Sequence, residues 1–327
     1  MNGMVTLDEI KQPVKKDLDQ FESYFQQNID SVVPLLNTVV RYTVRHKGKQ
    51  IRPLLVFLTA RAFGEVNRST YNAAAFIELL HTATLIHDDV VDESYERRNH
   101  FSINAIWKTK IAVLVGDYFL SRGLLLSVKE KEYDMLETIS NAVKEMSEGE
   151  LLQLQTSRKL IIDIDNYFNI ISKKTASLIK ASTLTGAQSV TQDRGILQQM
   201  HDFGETIGIA FQIKDDIFDY QKKGLIGKPI GNDIREKKFT LPLILALRKV
   251  SVAKRNYIIR LLNFDRKTQE TIEEITNFVI DHGGILEAQQ YLDDYRSKAL
   301  SILSQFEENQ ANIALKKLVD YIIYRNK

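Results

Sequence analysis

Apolar residues recur at the spacing of one helix face along almost the whole chain, and this periodicity limits the fold more than any other feature. It predicts helices near residues 5–27, 29–46, 50–64, 70–93, 103–127, 132–158, 165–186, 193–222, 239–250, 253–263, 267–282, 284–306 and 311–325. Only 15 glycines and 5 prolines stand among the 327 residues, so few positions are suited to end a helix. No alternating run indicates a sheet, and no linker divides the chain. We therefore expect an all-α protein in which residues 1–327 form a single domain.

Composition and charge argue against several classes of function. The formal net charge of +2 gives no general attraction to nucleic acid. The absence of cysteine excludes disulfides, thiol catalysis and thiolate metal sites. The N-terminal segment is too charged for a signal peptide, and no stretch approaches the roughly 18 uninterrupted apolar residues expected of a membrane span. We expect a soluble, cytoplasmic protein.

Two clusters of aspartates carry the strongest chemical signal. Each follows a mostly apolar helical segment and has the pattern Asp-Asp-x-x-Asp: Asp88, Asp89 and Asp92 in the first, and Asp215, Asp216 and Asp219 in the second. The outer aspartates of each cluster are four residues apart, so they share one helix face, where their like charges destabilise the helix. The negative end of the helix dipole adds to this cost. Both clusters therefore call for a compensating cation.

The composition of the clusters favours magnesium. Mg²⁺ is usually held by one or two carboxylates together with water and substrate phosphate, and neither cluster offers nitrogen or sulfur ligands. A single cluster of this kind is equally consistent with a metal site and with a solvated helix end, but its repetition favours a metal site. Basic groups that could hold phosphate stand near both clusters and elsewhere: Arg97-Arg98, Lys228, Lys237-Lys238, Lys173-Lys174 and residues 46–53. Each alone is consistent with surface charge, whereas together with the acidic clusters they suggest a diphosphate bridged by Mg²⁺.

These motifs, taken together, resemble a known family, the trans-isoprenyl diphosphate synthases or polyprenyl synthetases. The resemblance runs from GKQIRP to the final helices and is carried by GKQIRP, ELLHTATLIHDDVVDESYERR, GDYFLSRG, KKTASL, FQIKDDIFDY and GKPIGNDIREKKFTLP. It implies antiparallel helices around a deep central cavity, several Mg²⁺ ions that bridge the substrate diphosphate, and a homodimer. The implied reaction joins isopentenyl diphosphate to an allylic diphosphate such as farnesyl or geranylgeranyl diphosphate. It involves neither nucleic acid nor a membrane span.

The resemblance also implies roles for matched residues. The six aspartates resemble the family's metal-binding residues, with direct coordination by Asp88, Asp92 and Asp215. The residues that resemble the grip on the allylic diphosphate are Arg97, Lys174, Lys228 and Lys238. The residues that resemble catalytic contacts near the allylic carbon and leaving oxygen are Lys174, Thr175 and Gln212. The residues that resemble the isopentenyl diphosphate site are Lys49, Arg52, His81 and Arg98. Without the resemblance, Gln212 and His81 are equally consistent with buried hydrogen-bonding side chains.

The helix before Asp88 bears on product length. In short-product members of the family an aromatic residue commonly stands four or five residues before the first aspartate, whereas this chain has Thr84 and Ala83 there. We therefore expect a long, all-trans product of the octaprenyl type used for quinone side chains. Leu80 and Phe76 continue roughly the same face, and Phe76 is either a cavity floor or ordinary core packing.

Three alternative functions remain at this point. The first is a short-chain farnesyl or geranylgeranyl diphosphate synthase. The second is a class I terpene cyclase, which normally replaces the second aspartate cluster. The third is a non-catalytic subunit of a two-component synthase, which would have lost aspartates. The intact DDIFD and GKQIRP segments favour a catalytic synthase.

Overall fold

The helices of the computed structural model follow the predicted periodicity closely. The structure describes residues 5–46, 48–97, 100–220, 231–264 and 266–325. Its helices over these residues are α1 (Leu7–Lys11), α2 (Lys15–Ile29), α3 (Pro34–Arg45), α4 (Ile51–Phe63), α5 (Arg68–Val91), α6 (Ile103–Lys129), α7 (Tyr133–Lys159), α8 (Ile164–Ile171), α9 (Ser177–Gln188), α10 (Arg194–Asp219), α11 (Asn232–Arg235), α12 (Leu241–Arg248), α13 (Val252–Asn263), α14 (Gln269–Asp281), α15 (Gly284–Leu303) and α16 (Gln310–Tyr324). Two short antiparallel strands, β1 (Glu96–Arg97) and β2 (His100–Phe101), form the one sheet of the described residues. The predicted all-α class is confirmed.

Two predicted helices are each divided in the structure. The segment 5–27 breaks at a 3-10 turn, Gln12–Val14, because Pro13 has no N–H to donate and its ring crowds the preceding turn. The segment 165–186 is divided into α8 and α9 by a π-helical turn, Ser172–Ala176. Such turns are rare and occur frequently at functional sites. The strands and α11 are too short for periodicity to have indicated them.

The inner helices are apolar on nearly every side. All eight residues of 53–60 in α4 and all seven of 241–247 in α12 are buried. A helix that is hydrophobic all round belongs in the interior, and α4 packs against α5, α9 and α16. The buried apolar residues form one contiguous core from Ile10 in α1 to Ile323 in α16.

Two long helices carry the aspartate clusters at their C-terminal ends. α5 begins after Asn67, whose side chain accepts a hydrogen bond from the N–H of Thr70 while the Thr70 hydroxyl accepts one from the N–H of Asn67. α10 begins after Asp193, whose carboxylate accepts hydrogen bonds from the N–H groups of Gly195 and Ile196. These caps define where the two helices begin, and the clusters stand at the other ends of helices of 24 and 26 residues.

α6 is the one helix of the described residues that is long and apolar enough to cross a membrane by length and composition. Its most apolar 18 residues have a mean hydropathy of 1.6, and 39% of them are buried. The buried side of α6 includes Gly116, Phe119 and Gly123, and the helix packs along α5. Because core helices pass the same test, this property is weak evidence for a membrane span.

Candidate active site

The first aspartate cluster lies at the C-terminal end of α5. Asp88 and Asp89 stand in its last turn, and Asp92 follows the helix directly. Partial burial raises the pKa of Asp92, and the carboxylate of Glu150 on α7 raises it further. Loss of solvent, the neighbouring negative charge and the helix dipole all disfavour the charged carboxylate. A cation bound here would relieve all three.

The second cluster lies in the last turns of α10. Asp215, Asp216 and Asp219 all belong to this helix, which ends at Asp219. The carboxylate of Asp219 accepts hydrogen bonds from the backbone N–H groups of Asn232 at 2.9 Å and Asp233 at 3.0 Å, in the first turn of α11. Burial, and then the charge of Asp233, raise the pKa of Asp219 to about 6. The second cluster is therefore also unfavourable as a set of free anions.

Asp216 is the centre of a buried chain of hydrogen bonds. Tyr167 Oη donates to Asp216 Oδ2 at 2.7 Å, and Gln212 Nε2 donates to Asp216 Oδ1 at 2.8 Å. Thr175 Oγ1 in turn donates to Gln212 Oε1 at 2.8 Å. Burial is the main cause that raises the pKa of Asp216 to about 7, and the charge of Asp233 is the next. The chain fixes the Gln212 amide and leaves the lone pairs of the Thr175 oxygen available.

The π-helical turn that carries Lys174 and Thr175 is packed tightly between two helices. A Cβ atom at Gly149 of α7 would lie 2.6 Å from the backbone nitrogen of Lys174. A Cβ atom at Gly208 of α10 would lie 2.6 Å from the Cα atom of Ala176. Only glycine allows α7 and α10 to approach the turn this closely, because any side chain would meet backbone atoms.

Lys174 lies between the two clusters. Its Nζ pairs with the carboxylate of Glu150 and donates to Gln153 Oε1 at 3.1 Å. Its positive charge lowers the pKa values of both Asp92 and Asp233. Burial has the larger effect, so both pKa values are still raised overall. Asp92 directly follows α5, and the N–H of Asp233 donates to Asp219 at the end of α10, so Lys174 acts electrostatically near the ends of both central helices.

Lys238 is a second cation between the clusters. Its Nζ lies 3.4 Å from Asp233 Oδ1 and pairs with the carboxylate of Glu236. Burial lowers the pKa of Lys238, but these two carboxylates outweigh burial and raise the pKa overall, so the side chain is charged. Its charge also acts on Asp92. Outside the described residues lie Lys228, Arg98 and the side chain of Arg97.

The residues predicted to hold isopentenyl diphosphate already have protein partners. Arg52 Nη1 donates to His81 Nε2 at 2.9 Å. An imidazole nitrogen that accepts carries no proton, so this geometry assigns His81 as neutral. Lys49 Nζ donates to Tyr321 Oη at 2.9 Å. The structure thus joins Arg52 to His81 and Lys49 to α16.

A cavity of about 150 Å³ opens beside Lys174 and Lys238. Its polar lining includes Lys174, Thr175, Gln212, Asp216 and Lys238. Its apolar lining includes Ile161, Ile170, Phe239 and Ile244. Cations and hydrogen-bonding groups beside an apolar wall suit a ligand with an anionic head and an apolar body.

The sequence pattern of one protein family, Polyprenyl synthetase, matches residues 33–279, most of the chain. The chain belongs to this family. As a polyprenyl synthetase it is a trans-prenyltransferase that makes polyprenyl diphosphates, and its family uses a divalent metal.

Relatives and solved structures agree with the family assignment. An all-trans-nonaprenyl-diphosphate synthase (geranyl-diphosphate specific) of Rhodobacter capsulatus is 35% identical over 312 residues, covering 95% of each chain. An octaprenyl diphosphate synthase of Escherichia coli strain K12 is 31% identical, covering 99% of this chain and 100% of the relative.

A polyprenyl synthase of Caulobacter crescentus CB15, solved with calcium and isoprenyl diphosphate, has a TM-score of 0.91 at 31% identity and covers both chains fully. A geranylgeranyl pyrophosphate synthase of Bacteroides thetaiotaomicron has a TM-score of 0.83 at 35% identity, covering 97% of this chain and 98% of that one.

The aspartates of this polyprenyl synthetase fit a cation site that the substrate completes. Over the ranges that the structure describes, no three histidine, cysteine, aspartate or glutamate side chains converge closely enough to hold an ion by themselves. Mg²⁺ commonly takes only one or two carboxylates and fills its other positions with water and phosphate. Burial disfavours the charged forms of Asp92 and Asp219 and raises the pKa values of both carboxyls, and a bound cation would offset that cost.

The predicted chain-length residues lie on α5, away from the cavity described above. Phe76, Leu80 and Ala83 are buried, and Thr84 Oγ1 donates to the carbonyl of His81 at 2.9 Å. The Phe76 ring fills the space beside Gly123 of α6, where a Cβ atom would lie 2.6 Å from Phe76 Cδ2. This contact favours the core-packing interpretation of Phe76.

The structure brings several residues to the site that the sequence did not predict, including Glu150, Tyr167 and Asp233. Asp233 stands five residues before Lys238 in a segment already recognised as part of the family pattern, so its acidity beside Lys237-Lys238 was a usable signal. Tyr167 had no such signal, because it reads as one member of the apolar stripe of α8.

Proposed function

We propose that this polyprenyl synthetase joins isopentenyl diphosphate to farnesyl or geranylgeranyl diphosphate and builds a long all-trans product of the octaprenyl type. The observation that carries the proposal is that Lys174 and Lys238 act electrostatically on Asp92 of the first cluster and line, with Asp216 of the second, a cavity that has an apolar wall. The long products named for the Rhodobacter and Escherichia relatives support the product length, as do the small residues Ala83 and Thr84.

Lys174 and Lys238 grip the allylic diphosphate in this proposal, with Arg97 and Lys228. Without substrate, the two lysines pair with Glu150 and Glu236. Diphosphate oxygens replace these carboxylates as partners of the ammonium groups, so both lysines stay paired, and the displaced Glu150 and Glu236 side chains are partly exposed to solvent.

Asp88, Asp92 and Asp215 hold Mg²⁺ in this proposal, with Asp89, Asp216 and Asp219 around them. When bound, Mg²⁺ neutralises the diphosphate and makes it a better leaving group. Asp216 has a second role, because its carboxylate is hydrogen-bonded by Tyr167 and Gln212. We assign it to orienting Gln212.

Thr175 and Gln212 stabilise the positive charge that develops on the allylic carbon when its C–O bond breaks. The Thr175 hydroxyl proton is directed to Gln212, so the threonine offers oxygen lone pairs to a cation and no proton. Dipoles fixed before the reaction need no rearrangement during it. The double bond of isopentenyl diphosphate then attacks the carbon, and the released diphosphate takes the proton that leaves.

Lys49, Arg52 and His81, with Arg98, bind the diphosphate of the incoming isopentenyl unit. His81 accepts a hydrogen bond from Arg52 at 2.9 Å and so restricts the guanidinium to one orientation. A fixed guanidinium binds phosphate oxygens through two parallel hydrogen bonds.

We also infer a homodimer that forms through α6. Leu114, Leu125 and Val128 are more than half exposed and lie 11 and 14 residues apart, which places them on one helix face. On α7, Leu151 is 67% exposed. Apolar side chains grouped in this way suit a second copy of the chain, since the same surface would meet itself across a two-fold axis.

A short-chain synthase is the second candidate, and the likeness to the Bacteroides geranylgeranyl pyrophosphate synthase supports it. One incubation separates the candidates: purified chain, Mg²⁺, labelled isopentenyl diphosphate, and geranyl, farnesyl or geranylgeranyl diphosphate in turn. We expect extracted products of about eight isoprene units by chromatography. Products that stop at three or four units would establish the short-chain function. A cyclic hydrocarbon would indicate a cyclase, and no turnover would indicate a subunit.

A further inference from the structure

The end of α16 contacts both halves of the proposed active site. Tyr321, in its last turn, accepts a hydrogen bond from Lys49 Nζ at 2.9 Å. Arg325 directly follows the helix, and its Nη2 donates to Asp215 Oδ1 at 2.5 Å. Lys49 belongs to the proposed isopentenyl diphosphate site and Asp215 to the proposed metal site. The family pattern ends at residue 279, so it assigns nothing to α16.

Arg325 has a defined seat on α10. Its side chain is only 10% exposed. The guanidinium carbon lies 4.0 Å from the centre of the Phe211 ring and 5.6 Å from that of Phe218. Nη2 is also 3.4 Å from the carbonyl oxygen of Phe211. Phe211, Asp215 and Phe218 are four and three residues apart, so one face of α10 provides two rings and a carboxylate for one guanidinium.

This arrangement has two consequences for Asp215. The hydrogen bond from a buried guanidinium restricts the carboxylate to one orientation. The guanidinium also places a positive charge beside a proposed metal ligand, where burial limits screening by salt. A divalent cation that binds at Asp215 is therefore repelled by Arg325, and the negative charge of a bound diphosphate offsets that repulsion.

We propose that the end of α16 positions both substrate sites. Arg325 orients Asp215 and weakens cation binding there until the diphosphate arrives, and Tyr321 orients Lys49. Both residues act through the side chains that they hold, so they are positioning residues. The inference rests on the proposed roles of Asp215 and Lys49.

The test of Arg325 is a Mn²⁺ titration of the substrate-free protein, followed by calorimetry or by electron paramagnetic resonance. Arg325→Met keeps an apolar contact with the rings and removes the charge. We expect Mn²⁺ to bind about fivefold or more tightly than to the wild type, the lower range of typical coupling between sites. We also expect kcat to fall about tenfold or more, as for other residues that orient metal ligands. Arg325→Lys keeps the charge, so its Mn²⁺ affinity should remain that of the wild type.

Arg296→Met is the matched control. Arg296 Nε on α15 donates to Asp320 of α16 at 2.7 Å, and its guanidinium lies 5.5 Å from the centre of the Tyr324 ring. It anchors the same helix through the same kind of pair, but it is placed in neither proposed substrate site. We expect wild-type Mn²⁺ affinity and kcat from this variant.

The proposal for Arg325 is overturned if Arg325→Met binds Mn²⁺ as the wild type does, or if Arg296→Met changes the affinity equally. A loss of folding in Arg325→Met would transfer the test to Arg325→Lys, whose tighter Mn²⁺ binding would contradict the charge argument. Mn²⁺ binding needs no turnover, so this failure is distinct from failure of the proposed reaction, which the wild type alone would reveal.

Tyr321→Phe tests the other contact. It removes the oxygen that accepts from Lys49 and keeps the ring. We expect KM for isopentenyl diphosphate to rise severalfold, with little change in KM for the allylic substrate or in Mn²⁺ affinity. An unchanged KM for isopentenyl diphosphate would remove Tyr321 from the proposal.

Discussion

Burial is the main cause of the raised pKa values of Asp92, Asp216 and Asp219. Each carboxyl belongs to a cluster of like charges at the negative end of a long helix, and the lysines between the clusters offset only part of that charge. The residues of the site are thus arranged for a complex that contains cations. The substrate-free protein bears the unfavourable charge, as is common where function takes precedence over stability.

The metal assignment predicts large losses in two single variants. Asp88→Asn and Asp215→Asn each remove one charge from a proposed direct ligand. Mutation of a residue that only orients a metal ligand commonly lowers activity about 10–100-fold. Mutation of a direct ligand should therefore lower turnover with Mg²⁺ more than about 100-fold. Helix content by circular dichroism should be unchanged, since removing like charge from a helix C-terminus does not destabilise it. Near-normal turnover by both variants would contradict the assignment.

The raised pKa of Asp219 predicts a pH dependence of stability in the metal-free protein. The pKa of Asp219 is about 6 in the folded state, whereas the pKa of an aspartate in the unfolded chain is about 4. This group therefore stabilises the fold at low pH, and that contribution is lost as the pH rises through about 6. Asp219→Asn removes the loss, so its Tm relative to the wild type should increase from about pH 4 to 7. A difference in Tm that does not vary with pH would contradict this reasoning.

Among the elements of the fold, the π-helical turn is the one that places Lys174 and Thr175 at the cavity. A regular helix was predicted in this segment, and α7 and α10 each pack closely against the turn, at Gly149 and Gly208 respectively. Close packing on both sides holds the backbone in a conformation that an isolated helix would rarely adopt. The neighbouring helices thus maintain the turn.

Gly149→Ala should disturb this turn directly. Its new Cβ atom would meet the Lys174 backbone nitrogen at 2.6 Å, and overpacking of this kind typically costs about 1–3 kcal/mol of folding free energy. We expect a lower Tm and a larger fall in kcat than the stability loss alone explains, because Lys174 and Thr175 move. Ser147→Ala, at an exposed position of the same helix, should change neither quantity. Normal kcat in Gly149→Ala would show that the turn tolerates displacement.

The proposal that the growing prenyl chain passes Ala83 of α5 predicts how product length responds to substitution. Ala83→Tyr introduces a bulky side chain at a buried position, and a growing prenyl tail can stop short more easily than it can displace a packed helix. We expect products of the farnesyl or geranylgeranyl class, with the first condensations still active, measured by chromatographic sizing. Phe76→Ala should chiefly lower Tm, since its ring packs against Gly123. Unchanged product length in an active Ala83→Tyr enzyme would show that the growing chain does not pass Ala83.

The exposed apolar face of α6 bears on the assembly of whole molecules. The inner face of this helix packs along α5, and Leu114, Leu125 and Val128 are exposed on the outside. Tyr118, on the same helix, donates to the carbonyls of Ile29 and Asp30, so the loop before α3 borders this face. Assembly would remove these apolar side chains from water.

We therefore expect the Leu125→Glu substitution to prevent formation of the homodimer. A carboxylate placed in an apolar interface is costly unless it finds a partner. We expect sedimentation velocity at micromolar concentration to report dimers for the wild type and mainly monomers for this variant. Leu286→Glu on α15, at a leucine that is 71% exposed, should remain dimeric. Equal sedimentation of the two variants would place the interface elsewhere.

Local patterns in the sequence were sufficient for most of the helices and for finding the aspartate clusters. A helix face repeats every three to four residues, and so its periodicity can be read without knowledge of its neighbours. The same holds for Asp88 and Asp92, whose spacing puts them one turn apart at the C-terminal end of α5. The family resemblance extended this reading to Lys174, Thr175 and Gln212, which the structure brings together.

Contacts between distant segments depended on the tertiary structure. Tyr167 and Asp216 are 49 residues apart, and Asp215 and Arg325 are 110 apart. The π-helical turn likewise depends on helices that pack against it from both sides. Such hydrogen bonds and ion pairs form only when helix packing brings two faces into register. That register depends on side-chain shapes throughout the core and is absent from the local pattern of any one helix.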